Sequence, residues 1–456
     1  MSLVDSFDLQ NPWRDGRSFK VEGFIKRNIM DDIAQWMDDE DVLVLLGPRQ
    51  SGKTTIIKKL IEDLAGSINT EAIFYFNLDD ETLIKLFRNP GEFIKFIRAY
   101  LPEGKAFVFI DEVQRVREAG LFLKYIYDAG LNIKLIVSGS SSLEITAKVK
   151  EYLTGRKKVF RIYPLSFNEI VRHKRQVPAQ LLSNRTSTEE IIKYHGLFGE
   201  HLLSELMDYM SYGGYPKVYL RQEHKKKETE LSEIFSSYVK KDVTDYLRIE
   251  QVDVFNRLVS LLAFQTGNLV NKQELSATLQ TAWVTIEKYL RILEETFVIK
   301  LLPPYYTNKR KEITKMHKVY FMDTGLRNFI VRNFMPFDVR ADKGALFENV
   351  FFTERIKHIK DPSSTCFWRT QAGAEVDYIL IEGEKIIPVE IKATRLKAPK
   401  LTKSFKNFID AHKPENALIA TLDFCGEMTY SGTHVKFIPL PLVVFNSEAL
   451  PDLLSY

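Results

Sequence analysis

The stretch that decides the fold is Val42-Leu43-Val44-Leu45-Leu46, followed at once by Gly47-Pro48-Arg49-Gln50-Ser51-Gly52-Lys53-Thr54. The first five residues form an apolar run typical of a buried strand, and residues 55–64 favour a helix. The second stretch matches the pattern G-x-x-x-x-G-K-[ST], whose glycines let backbone N–H groups surround a polyphosphate at a helix N-terminus. Strand, loop and helix stand in the order that this pattern requires. The sequence therefore predicts a nucleotide-binding α/β domain.

The side chains of this loop have separate predicted roles. Lys53 is expected to reach the β- and γ-phosphates, and the Thr54 hydroxyl to hold Mg²⁺. The predicted nucleotide-binding residues are Gly47, Pro48, Arg49, Gln50, Ser51, Gly52, Lys53, Thr54 and Thr55.

A pair of acids, Asp111-Glu112, supplies the second half of this predicted site. It follows the apolar run 106–110, which reads as a buried parallel strand. Ligands of open α/β sheets lie at the carboxyl ends of the strands, so both carboxylates are expected to face the phosphates. We predict that Asp111 holds Mg²⁺ and that Glu112 polarises the attacking water. The alternative is a solvated acidic pair at a strand end.

Further apolar runs complete the predicted sheet, at residues 72–77, 134–138 and 158–162. Strands that alternate with helical stretches favour a doubly wound parallel sheet. The strand at 134–138 ends in Ser138-Gly139-Ser140-Ser141, where a hydroxyl, above all that of Ser138, is placed to sense the γ-phosphate. An extra strand between the phosphate loop and the acidic pair, with a glutamate after the aspartate, resembles the additional-strand, catalytic-glutamate class of P-loop ATPases. That class includes the AAA+ proteins.

Arg156 lies between these serines and the last predicted strand. Enzymes similar to AAA+ proteins often place an arginine there that completes a neighbour's site, where it stabilises charge on the transferred phosphoryl group. The resemblance therefore implies a homo-oligomer that acts through Arg156. The alternative is a surface arginine beside Lys157 and Lys158.

Composition limits the other possibilities. The 456 residues suggest about three domains, and 45% apolar content is enough for sizeable cores. A formal charge of +4 is too weak to indicate nucleic-acid binding by itself, so any such surface must be local. Cys366 and Cys425 match no metal-binding spacing and read as reduced thiols of an intracellular protein. No apolar run approaches the ~20 residues of a membrane span and no signal peptide is visible, so we expect a cytoplasmic protein without a membrane partner.

The rest of the chain is predicted to form three more regions. Tyr212-Gly213-Gly214-Tyr215-Pro216 is a strong helix breaker, and Lys225-Lys226-Lys227 after it reads as a solvated helix face. The predicted domains are a P-loop ATPase domain at 1–165, a helical lid and linker at 166–250, a winged helix at 251–335 and a nuclease-like α/β domain at 336–456.

The winged helix is predicted from three amphipathic helices at 252–265, 271–280 and 281–295, with Asn271 as an N-cap and Val284, Leu290 and Leu293 apolar. Strands at 298–302 and 318–322 would bracket a hairpin with Tyr305 and Tyr306. From Lys300 to Lys318 there are six basic residues and one acid, and basic residues among tyrosines suit contact with phosphates and bases. The predicted DNA contacts are Lys309, Arg310, Lys311 and Lys315. A winged helix that contacts protein is the alternative.

A further group of candidate site residues lies near the C-terminus. Asp377, Glu390 and Lys392 lie on a predicted hairpin of strands 377–381 and 386–393, and Glu348 lies on an upstream helix, 344–358. Glu390 and Lys392 are two residues apart and therefore share one strand face. Carboxylates around a lysine suit phosphodiester hydrolysis assisted by Mg²⁺ or Mn²⁺, with Asp377, Glu390 and Glu348 as ligands and Lys392 as the group that activates water. The motif resembles that of the PD-(D/E)xK, or restriction-endonuclease-like, fold. The alternative is a half-buried hairpin with exposed charges.

The order of these motifs resembles one family, the prokaryotic AAA-family ATPases with a C-terminal domain of unknown function, DUF4143. Besides the phosphate loop, the matching stretches are Ile110-Asp111-Glu112-Val113-Gln114, Val137-Ser138-Gly139-Ser140-Ser141, Leu153-Thr154-Gly155-Arg156, Tyr163-Pro164-Leu165-Ser166-Phe167, Gly213-Gly214-Tyr215-Pro216 and Phe367-Trp368-Arg369-Thr370 with Ala374-Glu375-Val376-Asp377. The resemblance implies an ATP-binding domain, a winged helix and a nuclease-like C-terminus.

The sequence therefore predicts an ATPase that uses ATP and Mg²⁺ and is coupled to DNA binding, with a metal-dependent nuclease-like site that cuts or holds DNA. The competing hypothesis is a regulatory ATPase switch whose C-terminal module binds DNA or protein without cutting. An ATP-dependent kinase or ligase is a third option, but no acceptor-substrate motif supports it.

Overall fold

The computed structural model describes residues 2–140, 152–174, 188–239, 249–305, 316–359, 364–447 and 450. The chain divides into two compact units. The first comprises Met1–Leu165, Ser236–Glu250 and Glu295–Phe297, and the second comprises Ser166–Phe235, Gln251–Glu294 and Val298–Tyr456. Among the helices of the described residues, none is both long and apolar enough to cross a membrane.

The first unit is built on a parallel sheet of five strands in the spatial order β2-β3-β4-β1-β5. The strands are β1 Val42–Gly47, β2 Ile73–Asn77, β3 Ala106–Asp111, β4 Ile133–Ser140 and β5 Lys157–Arg161. They lie within two residues of the predicted bounds, which confirms the predicted parallel α/β fold. Strand β4 lies between β1 and β3, so the phosphate loop and Asp111 emerge at the same edge of the sheet, one strand apart.

The apolar runs form strands because both faces of this sheet are covered. All six residues of β1 are buried. Its side chains alternate: Val42, Val44 and Leu46 pack into one apolar core, whereas Leu43 and Leu45 pack into the other. Each such side chain contributes about 1.5–3 kcal/mol on burial. The helices of this unit are Leu3–Gln10, Ile29–Ala34, Lys53–Ala65, Glu81–Ile84, Pro90–Tyr100 and Ala119–Asp128, with short 3-10 helices at Pro12–Asp15, Thr70–Ala72, Lys85–Arg88 and Val113–Arg115.

The predicted helix breaker ends a long helix for a steric reason. The helix Thr188–Tyr212 stops at Gly213, which has a φ of 75°. A Cβ at Gly213 would lie 2.1 Å from a carboxylate oxygen of Asp323, and the Gly214 N–H donates to Asp323 at 2.8 Å. Glycine is therefore required for both conformation and packing. The neighbouring helices are Phe167–Lys174, Pro216–Tyr219 and His224–Ser237.

The lysine run in the helix His224–Ser237 is only partly solvated. Lys225 and Lys226 are exposed as predicted. Lys227 is buried, and its ammonium lies 2.8 Å from Asp208 Oδ2 and 4.6 Å from the centre of the Tyr212 ring. The prediction was wrong for Lys227, because Asp208 on the helix Thr188–Tyr212 pairs with it.

Three helices and a two-stranded antiparallel hairpin follow. The helices are Val252–Phe264, Lys272–Leu279 and Trp283–Glu295, and the strands are β6 Ile299–Leu302 and β7 Lys318–Phe321. The Asn271 side chain caps the second helix, as predicted, by accepting from the N–H groups of Gln273 and Glu274 at 3.1 and 3.3 Å. Leu290 and Leu293 are buried, but Val284 is exposed, since it lies in the first turn of its helix.

The C-terminal part is a mixed sheet of six strands in the order β12-β13-β11-β10-β9-β8. The strands are β8 Thr365–Arg369, β9 Glu375–Glu382, β10 Lys385–Ile391, β11 Asn416–Thr421, β12 Gly426–Tyr430 and β13 Thr433–Pro439. The helices are Thr324–Val331, Lys343–His358, Lys403–His412 and Leu440–Phe445, with a 3-10 helix at Phe337–Val339. Strands β8, β9 and β10 are antiparallel neighbours, and β10 pairs in parallel with β11.

Candidate functional site

The predicted phosphate loop joins β1 to the helix Lys53–Ala65 through a left-handed turn. Gln50 and Gly52 have φ angles of 62° and 99°, and glycine adopts such angles without a steric penalty. A Cβ at Gly47 would lie 2.0 Å from the Ile162 carbonyl oxygen, so the chain after β5 packs directly on the start of the loop. Within the described residues, the buried Ser51 hydroxyl has no hydrogen-bond partner. This donor fits a bound polyphosphate.

Lys53 is buried beneath the loop. Its ammonium donates to the carbonyl oxygens of Gly47 and Pro48, at 2.9 Å in each case. These bonds keep the Lys53 ammonium inside the loop. From there it could donate to phosphate oxygens of a bound nucleotide in place of the two carbonyl groups. Thr55, the last predicted nucleotide contact, is exposed on the first turn of the helix.

Asp111 is the centre of the carboxylate side of the site. It is fully buried, and its Oδ2 accepts hydrogen bonds from the Thr54 hydroxyl at 2.6 Å and from the Tyr75 hydroxyl at 3.2 Å. The Ser138 hydroxyl donates to the other oxygen. The Thr54 hydroxyl and the Asp111 carboxylate are adjacent hard oxygen donors, and Mg²⁺ in nucleotide sites takes one or two such ligands besides the phosphates. The residues therefore fit Mg²⁺.

Glu112 directly follows β3 in a left-handed conformation, with a φ of 59°. The Gln114 amide donates to its carboxylate and also to Ser140 Oγ, the latter at 2.9 Å. Burial raises the pKa of Glu112; the Lys53 charge opposes this shift and the Asp111 charge adds to it. A raised pKa makes the carboxylate a better proton acceptor for water. Ser141, the last residue of the predicted sensor stretch, lies outside the described residues.

The structure adds Arg27 to this site, a residue that carries no motif in the sequence. Arg27 is buried, and its guanidinium donates to the carbonyl oxygens of Ser51 at 3.0 Å and Tyr163 at 2.7 Å. It therefore braces the phosphate loop against the chain that follows β5. Tyr75 was also missed, because only the folded sheet brings it to Asp111. Gln114, two residues after Glu112 in one of the matching stretches, was given no role in the site.

Arg156 lies at the other end of the strands from the phosphate loop. Its carbonyl oxygen accepts from the Val42 N–H at 3.0 Å, so it lies beside the beginning of β1, whereas the phosphate loop follows the end of this strand. A strand of this length spans about 17–20 Å. The guanidinium pairs with Asp128 at 2.6 Å and lies 5.3 Å from the Tyr127 ring centre. This geometry argues against action of Arg156 on the phosphate loop of its own chain. Action on a neighbouring chain stays a prediction, and the exposed ion pair also fits the alternative of a surface arginine.

The C-terminal constellation is brought together on β9 and β10. Asp377 Oδ2 accepts from the Ile391 N–H at 2.8 Å, which places it across the hairpin from Glu390. The Lys392 ammonium donates to Glu390. Strand β10 ends at Ile391, earlier than predicted, but the Lys392 N–H still donates to Ala420 at 2.8 Å and keeps the extended geometry.

Glu348, from the helix Lys343–His358, completes the acidic group. The Tyr320 hydroxyl donates to Glu348 Oε2 at 3.1 Å. Burial raises the pKa of Asp377, and the Glu348 charge adds to this shift. Burial also raises the pKa of Glu348. These two carboxyl groups therefore share one poorly hydrated environment.

The carboxylates of this group do not fit a metal ion as they are arranged. Asp377, Glu390 and Glu348 each accept from donors of the protein itself, and Thr402 also donates to Glu390 at 3.0 Å. Across the described ranges, no group of three or more His, Cys, Asp and Glu side chains is placed to hold a metal ion. The ligand chemistry suits Mg²⁺, but the geometry does not provide the site.

Two of the six basic residues predicted for a DNA-binding hairpin have other roles. Lys300 lies 3.1 Å from Glu294 Oε1. Lys318 is buried, and its ammonium lies 2.5 Å from Glu375 Oε1 and 3.7 Å from Glu348 Oε2. Both are therefore corrections to the predicted basic surface. Lys309, Arg310, Lys311 and Lys315 lie outside the residues that the structure describes.

Comparison with known families divides the chain into three regions. Residues 39–171 match the AAA domain family (AAA_14), residues 203–336 match a domain of unknown function (DUF8612), and residues 343–443 match the domain of unknown function DUF4143. The chain is therefore an AAA-family ATPase with a C-terminal DUF4143 domain, and the P-loop residues described above lie within the AAA match. The predicted winged helix falls within the DUF8612 match and not within DUF4143.

Individual relatives are similar over most of the chain. An uncharacterised protein of Haemophilus influenzae is 24% identical over 429 residues, which cover 91% of this chain and 97% of that protein. An uncharacterised protein of Methanocaldococcus jannaschii is 24% identical over 392 residues, which cover 85% and 82%. Among solved structures, a Walker-type ATPase of Pyrococcus abyssi aligns with a TM-score of 0.43 and 14% identity, covering 69% of this chain and 97% of that one.

Proposed function

We propose that ATP hydrolysis by this chain is coupled to DNA binding through the segment 252–321. The observation that carries the proposal is the order of elements in this segment: three helices, the second with an Asn271 cap, followed by the antiparallel hairpin of β6 and β7. This order is typical of a winged helix and supports the proposal. The hairpin connection contains four Lys or Arg residues and one acid, Glu312, which suits contact with a phosphate backbone.

The third helix of this segment supports contact without strong sequence readout. Its exposed side includes Glu287, Lys288 and Arg291, so charges of both signs lie together. The Glu287 carboxylate is also engaged by Lys272 at 2.7 Å. Such a face gives few directed donors for base edges, whereas the basic hairpin contributes phosphate contacts at any sequence.

The proposal includes an oligomer in which Arg156 completes the ATPase site of a neighbouring chain. It is supported by the position of Arg156 at the edge of the sheet away from its own phosphate loop and by its side-chain exposure of 44%. An arginine in that position would stabilise charge on the transferred phosphoryl group.

The test is ATP turnover measured with and without duplex DNA, at low and at moderate salt. We expect DNA to stimulate phosphate release and ATP to change DNA affinity, because coupling between two sites is reciprocal. Lys53→Ala protein serves as the control for contaminating ATPases. Turnover and ATP affinity that are both independent of DNA would contradict the coupling.

A second candidate function, phosphodiester cleavage, is favoured by one observation. Asp377, Glu390 and Lys392 meet on two neighbouring strands, next to Glu348 from a preceding helix. The group combines carboxylates with a lysine, as a nuclease of the PD-(D/E)xK type requires. Since the carboxylates do not fit a metal ion as arranged, the geometry favours the competing hypothesis of a C-terminal module that does not cut.

A further inference from the structure

The buried ammonium of Lys318 connects the hairpin to the acidic group of the C-terminal sheet. Lys318 is the first residue of β7 and is 2% exposed. Its ammonium lies 2.5 Å from Glu375 Oε1, 3.7 Å from Glu348 Oε2 and 5.5 Å from the ring centre of Phe367. A lysine is rarely buried unless carboxylates compensate its charge. Lys318 is therefore a resident cation of this acidic group.

The other partners of the acidic group are also supplied by the chain. Glu375 accepts from Arg369 at 2.8 Å as well as from Lys318. Glu390 is bonded by Lys392 and Thr402, and Asp377 by the Ile391 N–H. The carboxylates of Asp377, Glu390 and Glu348 and of the neighbouring Glu375 are thus balanced largely by internal cations and N–H or O–H donors.

A divalent cation and this ammonium would compete for the same oxygens. Glu348 Oε2 faces both Lys318 and the Tyr320 hydroxyl, so a metal ion at Glu348 would lie within a few ångströms of a buried positive charge. Repulsion between like charges is strong where water is excluded. The resemblance to metal-dependent nucleases and the observed geometry therefore disagree, and at Glu348 the buried Lys318 ammonium contributes to the disagreement.

We propose that the Lys318 ammonium takes the place of a divalent cation in this acidic group, and that Mg²⁺ or Mn²⁺ binds there only when the ammonium is removed or withdrawn. The proposal shares one assumption with the second candidate function: Asp377, Glu390 and Glu348 are the residues that would bind the metal. It concerns metal binding and not cleavage.

The experiment compares Mn²⁺ binding by wild-type chain and by Lys318→Met, which keeps an unbranched side chain one atom shorter and removes its charge. Free Mn²⁺ is measured by electron paramagnetic resonance in titrations without nucleotide. We expect one additional Mn²⁺ site in Lys318→Met, with affinity about 10- to 100-fold above any binding to this group in the wild type. The double variant Lys318→Met/Asp377→Asn should lose that site.

Lys300→Met is the matched control, because Lys300 lies on the neighbouring strand of the same hairpin but pairs with Glu294. It should bind Mn²⁺ as the wild type does. Equal Mn²⁺ binding by wild type and Lys318→Met would overturn the proposal.

Two further measurements keep the proposal testable if Lys318→Met folds poorly. If Lys318→Met melts early, Mn²⁺ should restore its melting temperature more than that of Lys318→Arg, and equal responses would contradict the proposal. Independently, wild type and Asp377→Asn should bind the same number of Mn²⁺ ions, and fewer ions on Asp377→Asn would show that the wild-type group already binds metal. A gained site without DNA cleavage would support this inference while rejecting the nuclease function.

Discussion

The Thr54 hydroxyl lies 2.6 Å from Asp111 Oδ2, although the two residues are 57 positions apart in the chain. This bond joins the first turn of the helix after the phosphate loop to the end of β3. It places both predicted Mg²⁺ ligands side by side. Mg²⁺ held by these two oxygens would replace this hydrogen bond and would carry the positive charge beside the phosphates.

The first prediction separates nucleotide binding from hydrolysis. Lys53→Ala should abolish binding or lower turnover about 10²- to 10³-fold, because it removes the positive charge beside the phosphates. Glu112→Gln should bind ATP but release no phosphate, since the amide cannot accept a proton from water. ATP affinity and phosphate release are measured for both. Lys58→Ala, on the exposed side of the same helix, should behave as wild type, and normal turnover by Lys53→Ala would refute the assignment.

A second prediction concerns the neighbouring chain. Arg156→Ala should lose turnover while it keeps its affinity for ATP, because the arginine acts on the site of another chain. Mixing it with Glu112→Gln protein should restore part of the activity, since each chain supplies what the other lacks. Asp128→Ala is the control: it breaks only the surface ion pair with Arg156, worth about 0–1 kcal/mol. A fully active Arg156→Ala enzyme would end the hypothesis.

A third prediction concerns stability and pH in the second unit. Asp342 is bonded by two buried arginines, with its Oδ1 2.8 Å from Arg340 Nε and its Oδ2 paired with Arg327. Asp342→Asn leaves both charges without this carboxylate and should destabilise the unit by about 3 kcal/mol. Glu415→Gln, which breaks an exposed pair with Lys385, should leave the unfolding midpoint nearly unchanged, because water and salt screen such a pair.

The pH dependence of this effect has a definite sign. Hydrogen bonds from Arg340 and Arg327 lower the pKa of Asp342 well below its unfolded value of about 3.9. The stabilisation is therefore fully present above that value and is lost as the pH falls from there toward the folded pKa. The difference in unfolding midpoint between wild type and Asp342→Asn should narrow in acid. A difference that stays constant down to pH 3 would contradict the role of this carboxylate.

The fold of the first unit could be predicted because each strand is a short apolar run and each chemical group ends such a run. The Walker-type residues Thr54 and Asp111 follow from local patterns of this kind. Arg27 could not be found in the same way, since its contacts with Ser51 and Tyr163 depend on how distant loops pack.

The charges of the second unit were harder to assign for a related reason. Lys318 and Lys227 belong by sequence to basic stretches, but each is buried against carboxylates from another element. Local composition records only the charge of a residue, whereas its hydration depends on packing partners that are distant in sequence. The pairing of Asp377 with β10 was predictable, because a two-residue turn sets the register of the hairpin.

A fourth prediction tests the DNA contacts. Replacing Lys309, Arg310 and Lys311 together by Ala should weaken DNA binding for all sequences alike, because phosphate contacts carry no sequence information. The slope of log affinity against log salt should fall by up to about 0.9 per lost contact. The control is Lys225→Ala/Lys226→Ala, which removes two exposed lysines of another helix. An unchanged slope in the triple variant would place the DNA site elsewhere.

The last prediction concerns cleavage. If the second candidate function holds, the chain should nick duplex, single-stranded or branched DNA with Mg²⁺ or Mn²⁺, assayed with and without ATP. Asp377→Ala and Lys392→Ala should each abolish nicking, because they remove a carboxylate and the ammonium beside Glu390. Glu384→Ala, in the exposed turn between β9 and β10, should leave nicking unchanged.

The outcomes of this assay separate the remaining hypotheses. Nicking that survives both substitutions would come from another site or a contaminant. No nicking under any condition, with no metal at Asp377 and Glu390, would favour a module that holds its partner without cutting. Lys318→Met gives the sharpest comparison, since it removes the resident cation and leaves Asp377, Glu390 and Lys392 in place. If Lys318 prevents cleavage by excluding the metal ion, Lys318→Met should nick DNA faster than the wild type.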